Sequence, residues 1–277
     1  MTEESPPLLY WALQVAYDGS QFAGYQVQPG LRTVQGELEA ALNKLLGAIS
    51  KTNPAGRTDA GVHAYAQLVN FNTPSALPLD RMLSPLQRLL PDDIGVVKAW
   101  SVPPDFHARF KALARHYRYR VALTKQHHPL ARQRFWAYPH TVDLQLLTEV
   151  WEQLVGKAHF GAFCKQSGYT RSDELEVLWT RVRQQGPWLE FDIMADRFLH
   201  NMVRALVGTA LDIARGRFPA DHIQTLLAQP DRAQIGLTAP AHGLYFYNVV
   251  YPPEYGLTLL EPLLQLDPEG INTFNPR

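Results

Sequence analysis

The feature that most limits the fold of this chain is that one order of elements runs through it twice. Apolar alternation over residues 8–17 predicts a strand, and Val34, Leu38, Ala41, Leu42 and Leu45 form a helical stripe opened by Thr33 and stopped by Gly47. A short strand then leads into a loop at Gly56. Residues 62–72 read as a strand, 79–90 as a helix with Met82, Leu83, Leu86 and Leu90 inward, and 94–100 as a closing strand. The second half repeats this with a strand at 117–123, a helix at 144–154, and strands at 178–182 and 188–195 around Gly186-Pro187. A long helix at 198–215, with Met202, Leu206, Ala210 and Ile213 on one face, and a strand at 244–251 complete the set. This predicts an α+β protein of two ferredoxin-like (RRM-like) β-α-β-β-α-β units, their sheets side by side. The units fall at residues 8–108 and 109–252. The proline-rich tail 253–277 is expected to be a poorly structured extension.

Chemistry concentrates in Gly56-Arg57-Thr58-Asp59-Ala60-Gly61-Val62-His63-Ala64, which sets a carboxylate, a guanidinium, a hydroxyl and an imidazole around two glycines. Gly56 and Gly61 suit a sharp, exposed loop with Asp59 at its tip. An aspartate in such a turn often does no more than bond a nearby backbone N–H. The loop is not a phosphate loop, because no Gly-Lys-Ser/Thr follows it.

A formal net charge of zero argues against a general nucleic-acid coat, but the distribution of charge is uneven. Between Pro104 and Trp136 stand Arg109, Lys111, Arg115, Arg118, Arg120, Lys125, Arg132 and Arg134 against one acid, Asp105. Phe106, Phe110, Tyr117, Tyr119 and Phe135 are interleaved with them. Cations that meet phosphate and aromatics that stack on unpaired bases are what an RNA surface needs, and Arg118 and Arg120 are the expected phosphate contacts. The competing reading is a solvated strand face. The single cysteine, Cys164, excludes an internal disulfide framework and a four-cysteine zinc site, and is read as a small core residue in a reducing, cytoplasmic protein. The acidic N-terminus does not resemble a signal peptide, and no apolar run approaches a membrane span. Neither a metal-binding His/Cys cluster nor a dinucleotide fingerprint is present.

The Asp59 loop resembles, without a substitution, the signature of the tRNA pseudouridine synthase A (TruA) family. Tyr17-Asp18-Gly19-Ser20 with Phe22 and Gly24, Thr33-Val34-Gln35, Phe106 to Phe110, Arg115 to Tyr119, Phe198 to Arg204 and Gly243-Leu244-Tyr245 extend the resemblance over about residues 8 to 252. Tyr25 departs from it, standing where the family usually has tryptophan, and the polar stretch 167–176 is longer than the pattern needs. The resemblance implies isomerisation of uridine to pseudouridine at positions 38–40 of the tRNA anticodon stem-loop by a homodimer, with the active site in the cleft between the units and neither membrane nor cofactor involved. That reaction breaks a C–N glycosidic bond, turns the uracil and forms a C–C bond to the same sugar. It needs a carboxylate that acts on C1′ or C6, or steadies positive charge on the sugar, in a pocket that excludes water.

By resemblance that carboxylate is Asp59, the nucleophile. Arg204 is its paired cation, Tyr117 stacks on the target base and takes part in proton transfer, and Leu244 packs against the base. Arg57 fills the space left when the uridine swings out. Tyr119 shares the strand parity of Tyr117, so position alone does not separate them. His63 either braces the loop through the backbone or touches substrate. Two rivals remain: a noncatalytic RNA-binding module, and a hydrolase using Asp59 and His63 that would release free uracil.

Overall fold

A computed structural model describes residues 7–126, 129, 131–165 and 172–259. In chain order the elements are β1 (Leu9–Tyr17), α1 (Val34–Leu46), β2 (Asn53–Pro54), β3 (His63–Thr73), α2 (Leu79–Leu89), β4 (Ile94–Ser101), β5 (Ala114–Leu123), β6 (Trp136–Tyr138), α3 (Leu144–Glu152), β7 (Gly156–His159), β8 (Glu174–Gln185), β9 (Trp188–Ala195), α4 (Met202–Ala214), α5 (His222–Ala228) and β10 (Leu244–Val250). The protein is α+β, with all the strands in one sheet of order β4-β1-β3-β10-β5-β9-β8-β7, β2 paired to β3 and β6 to β5.

The two halves meet where β10 runs parallel to β3 over two residue pairs, Tyr245↔His63 and Phe246↔Ala64. The expected neighbouring sheets are therefore continuous. This seam sets the residues just before β3 against those just before β10.

Local chemistry accounts for the element boundaries. Thr33 caps α1 by accepting the Gly36 N–H, and Gly47 ends it with φ near 80°. Alternation on β5 sends Tyr117, Tyr119 and Val121 to one face and His116, Arg118 and Arg120 to the other. On the first face Trp151 of α3 packs edge-on against Phe191, and its indole N–H donates to the Asp192 carbonyl at 2.8 Å. Helix α4 is buried at every position except Arg204.

Three expectations change. The long second-half helix begins at Met202 rather than 198, because Asn201 adopts φ 64° and breaks the run. Cys164 lies half-exposed after a 3-10 turn, outside the core. The start of the tail is packed: Tyr255 meets Phe106 edge-on at 5.0 Å, and the Lys98 ammonium donates to the Thr258 carbonyl. Residues 260–277, and 167–171 of the long polar stretch, lie outside the described residues. Among the described residues no helix is long and apolar enough to cross a membrane.

Candidate active site

The Asp59 loop leaves the β2–β3 hairpin through a side chain that mimics a strand. Gln67 accepts the Gly56 N–H at 3.3 Å and donates to the Gly56 carbonyl at 2.6 Å. The loop then lies on the segment after β1, with Tyr25 N–H donating to the Thr58 carbonyl at 3.0 Å. Two backbones this close require glycine. A Cβ on Gly19 would stand 1.9 Å from the Val62 oxygen, and one on Gly24, whose φ is 99°, 2.9 Å from the Thr58 oxygen. Gly61 supplies the expected positive φ at 79°. Gly56 serves differently, leaving room for Phe246 and the Tyr117 hydroxyl, which a Cβ would meet at 3.0 and 3.6 Å.

Alternate residues of the loop point opposite ways. Thr58 turns inward, its hydroxyl 2.7 Å from that of Tyr17, whose own pKa burial pushes up to about 12. Arg57 and Ala60 are exposed. Asp59 stands between these extremes, its side chain 34% exposed, and the Val62 N–H donates to its carbonyl at 3.2 Å to close the turn.

Arg204, in the first turn of α4, and His200, just before that helix, face this carboxylate. Arg204 Nη1 lies 3.8 Å from one oxygen and His200 Nε2 lies 3.3 Å from the other. Arg204 is aimed by two hydrogen bonds of its own, Nε to the Ala239 carbonyl at 2.7 Å and Nη1 to Asn201 Oδ1 at 2.8 Å. Asn201 thus makes the left-handed bend that orients the helix start and also holds the arginine. Sequence reasoning assigns no role to His200 or Asn201, although both stand inside the stretch Phe198 to Arg204 that carries part of the family resemblance.

Tyr117 forms the aromatic side of the site. Its ring meets Phe198 at 4.8 Å and Phe246 at 5.2 Å, both edge-on, and burial, with Tyr17 and Asp59 nearby, holds its hydroxyl protonated well above the ordinary tyrosine range. The structure separates it from Tyr119. The Tyr119 hydroxyl is tied to the Pro240 carbonyl at 2.7 Å, and its ring lies so close to Gly243 that a Cβ there would clash at 2.6 Å. Leu244 follows that turn at the start of β10, nearly buried and opposite Tyr119.

His63 is a brace. Its Nδ1 accepts the Gly19 N–H at 3.1 Å, its Nε2 donates to the His242 carbonyl at 3.2 Å, and its ring stacks on Tyr245 at 4.8 Å. Burial lowers its pKa, favouring the neutral form that this bonding requires. With both nitrogens engaged it is poorly placed as a general base.

Arg118 and Arg120 require a correction. They are 2% and 5% exposed, so they do not form the solvent-facing phosphate strip expected of them. Arg118 donates to both oxygens of Asp192, at 2.7 and 3.2 Å, with its guanidinium over the Tyr247 ring at 4.0 Å. Arg120 donates to Glu190 at 2.8 Å and to the Tyr65 hydroxyl at 2.7 Å. Each acid is directly opposite its arginine on β9. Burial alone would raise the Asp192 pKa, yet the hydrogen bond from His116 and the charges of His116 and Arg118 hold it far below the usual range. The exposed members of the strip are Arg109, Phe110, Lys125, Arg132 and Arg134.

A carboxylate that is partly open, with an arginine and a histidine near it rather than clamped on it, can attack an electron-poor carbon or steady a developing cation. Fold and site together therefore offer a carboxylate suited to such chemistry where the two halves of the sheet meet. Among the described residues no group of His, Cys, Asp and Glu side chains could hold a metal ion. The sequence profile described as tRNA pseudouridine synthase matches residues 13–111 and 150–252. The chain is also 43% identical over 243 residues to the tRNA pseudouridine synthase A of Thermus thermophilus, covering 86% of this chain and 95% of that one. The corresponding enzyme of Anoxybacillus flavithermus is 42% identical over 238 residues, covering 86% and 96%. The chain belongs to the tRNA pseudouridine synthase family.

Proposed function

We propose that this protein isomerises uridine to pseudouridine at positions 38–40 of the tRNA anticodon stem-loop, with Asp59 as nucleophile, Arg204 as its counter-charge and Tyr117 against the base. The observation that carries the reading is the convergence on one loop carboxylate of residues from both halves: Arg204 at 3.8 Å from α4, with Tyr117 of β5 beside Gly56 of the same loop. Arg57, exposed two residues before Asp59, enters the stem as the uridine leaves it, and Leu244 contacts the turned base.

The enzyme is organised as two ferredoxin-like units, 8–108 and 109–252. Support comes from the strand order, since β4-β1-β3-β2 in the first half and β10-β5-β9-β8 in the second follow the same path. It works without metal or nucleotide cofactor, as a homodimer in the cytoplasm, where one subunit grips a tRNA that the other converts. Such sharing lets a neutral chain manage with a few exposed cations.

Incubating unmodified tRNA with the protein and mapping pseudouridine tests this. Conversion at 38, 39 or 40 without release of free base is expected. Free uracil would indicate a hydrolase, and tight binding with no conversion would indicate a noncatalytic RNA module.

A further inference from the structure

Phe110 is 70% exposed, more than any other large apolar side chain among the described residues. Isolated surface phenylalanines are ordinary, so exposure alone carries little. What distinguishes this one is its mounting. The alternate residues Phe106 and Ala108 are buried, and the segment is pinned where Ala108 N–H donates to Asn70 Oδ1 at 2.8 Å and the Tyr251 hydroxyl donates to the Ala108 carbonyl at 2.6 Å. The turn closes as Phe110 N–H and Lys111 N–H both donate to the His107 carbonyl, at 3.1 and 3.0 Å. His107, Arg109 and Phe110 are thereby held outward on a fixed backbone.

Their side chains form a contiguous, weakly cationic surface, its two rings tilted 40° to each other. The rings of His107 and Phe110 lie 4.3 Å apart, and the Arg109 guanidinium sits 5.8 Å from the Phe110 ring. Burial lowers the His107 pKa, and its Nδ1 accepts the Arg109 N–H, so the imidazole presents an uncharged face. The surface also lies beside the catalytic loop. The guanidinium of Arg115 donates both to the Arg109 carbonyl and to the Ala55 carbonyl, the latter at 3.3 Å. Arg57 is two residues beyond Ala55, about 7 Å of chain at most.

We infer that His107, Arg109 and Phe110 form a stacking platform for an unpaired RNA base close to the isomerised uridine. This rests on the proposed action on tRNA and adds a contact to it. Aromatic rings accept any base face, and a neighbouring arginine adds charge attraction to the adjoining phosphate. The platform would catch a base of the loop strand while Arg57 occupies the stem.

The test is binding of unmodified tRNA by Phe110→Ala, Phe110→Leu and Phe110→Trp, each in an Asp59→Asn background so that no conversion intervenes. Loss of one stacked base predicts a Kd raised about 5- to 150-fold for the alanine variant. Leucine should fail to restore affinity and tryptophan should restore it. The slope of log K against log salt should stay unchanged, since the phenyl ring neutralises no phosphate. In the Asp59 parent, Phe110→Ala should lower conversion at limiting RNA and leave the saturated rate within a few-fold. Parental affinity for either the alanine or the leucine variant would overturn the platform, and so would dissociation of the protein into smaller species, which would make Phe110 a subunit contact. Conversion by the parent protein is read separately, so failure of the functional reading is distinguishable from failure of the platform.

Discussion

Among the carboxylates that face arginines in this molecule, Asp192 and Asp59 stand in opposite surroundings. Asp192 is fully buried, takes two hydrogen bonds from Arg118 and one contact from His116 at 2.7 Å, and lies mid-strand. Asp59 is a third exposed on a glycine-flanked loop, and its neighbours His200 and Arg204 stay at 3.3 and 3.8 Å. The first arrangement is complete without any other molecule. A buried charge can exist only when its lone pairs are occupied, and a carboxylate so occupied has nothing left for a substrate. The second leaves oxygen available, and its arginine is oriented by Ala239 and Asn201 rather than by the aspartate. Proximity of opposite charges is common to both; the number of direct bonds and the access to solvent separate the closed pair from the open one, which suits the role proposed for Asp59.

Breaking the closed pair should produce the largest loss of stability. Asp192→Ala leaves Arg118 and His116 buried without their acid, an expected cost of about 3–5 kcal/mol in urea unfolding. Because the Asp192 pKa is depressed in the folded state, its contribution is full above the ordinary aspartate value of about 3.9 and drains away as pH falls below it. Asp192→Asn should therefore flatten the acid limb of a stability–pH curve. An acid limb identical to the parent's would show that Asp192 does not carry it.

At the active site, Arg204→Met should lower the single-turnover rate about a hundredfold or more, as expected when a group that stabilises charge is removed. Weaker tRNA affinity with a saturated rate close to the parent's would make Arg204 an RNA contact instead.

A smaller effect belongs to the brace between the halves. His63 is held neutral in the fold, so folding disfavours its proton, and the associated stability is present above about pH 6.5 and declines below it. His63→Gln should weaken that dependence between about pH 7 and 5, read from thermal midpoints at each pH. An unchanged slope would mean that His63 carries its proton in the folded protein.

The smallest effect separates the exposed cations of the basic strip from its buried arginines. Lys125→Ala and Arg132→Ala should each lower the salt slope of tRNA binding by roughly 0.9 per phosphate that the side chain neutralises, while stability stays near the parent's. Arg118→Met should do the reverse, leaving the slope and costing stability.

These contrasts also show what the sequence could reveal. The repeated strands and helices were legible because apolar spacing is a local property, and the Asp59 loop because its residues are contiguous. The helix start at Met202 was displaced by the conformation of a single residue, Asn201, which no periodicity reports. The strip from Pro104 to Trp136 misled for another reason. Its balancing acids, Glu190 and Asp192, stand some seventy residues later and become neighbours only when β9 pairs with β5. A local charge count cannot see across a strand register. The same limit hid His200 as a neighbour of Asp59, although it sits four residues from Arg204.

The most direct test of the account is Asp59→Asn, which preserves the shape of the side chain and removes its charge. Conversion should be followed as tritium release from C5-labelled tRNA, alongside tRNA affinity and the urea midpoint. With Asp59 as the proposed nucleophile, conversion should be abolished while affinity and midpoint match the parent, since this carboxylate, unlike Asp192, is not clamped into the fold. Conversion within about tenfold of the parent, equivalent to no more than about 1.4 kcal/mol of barrier, would contradict it.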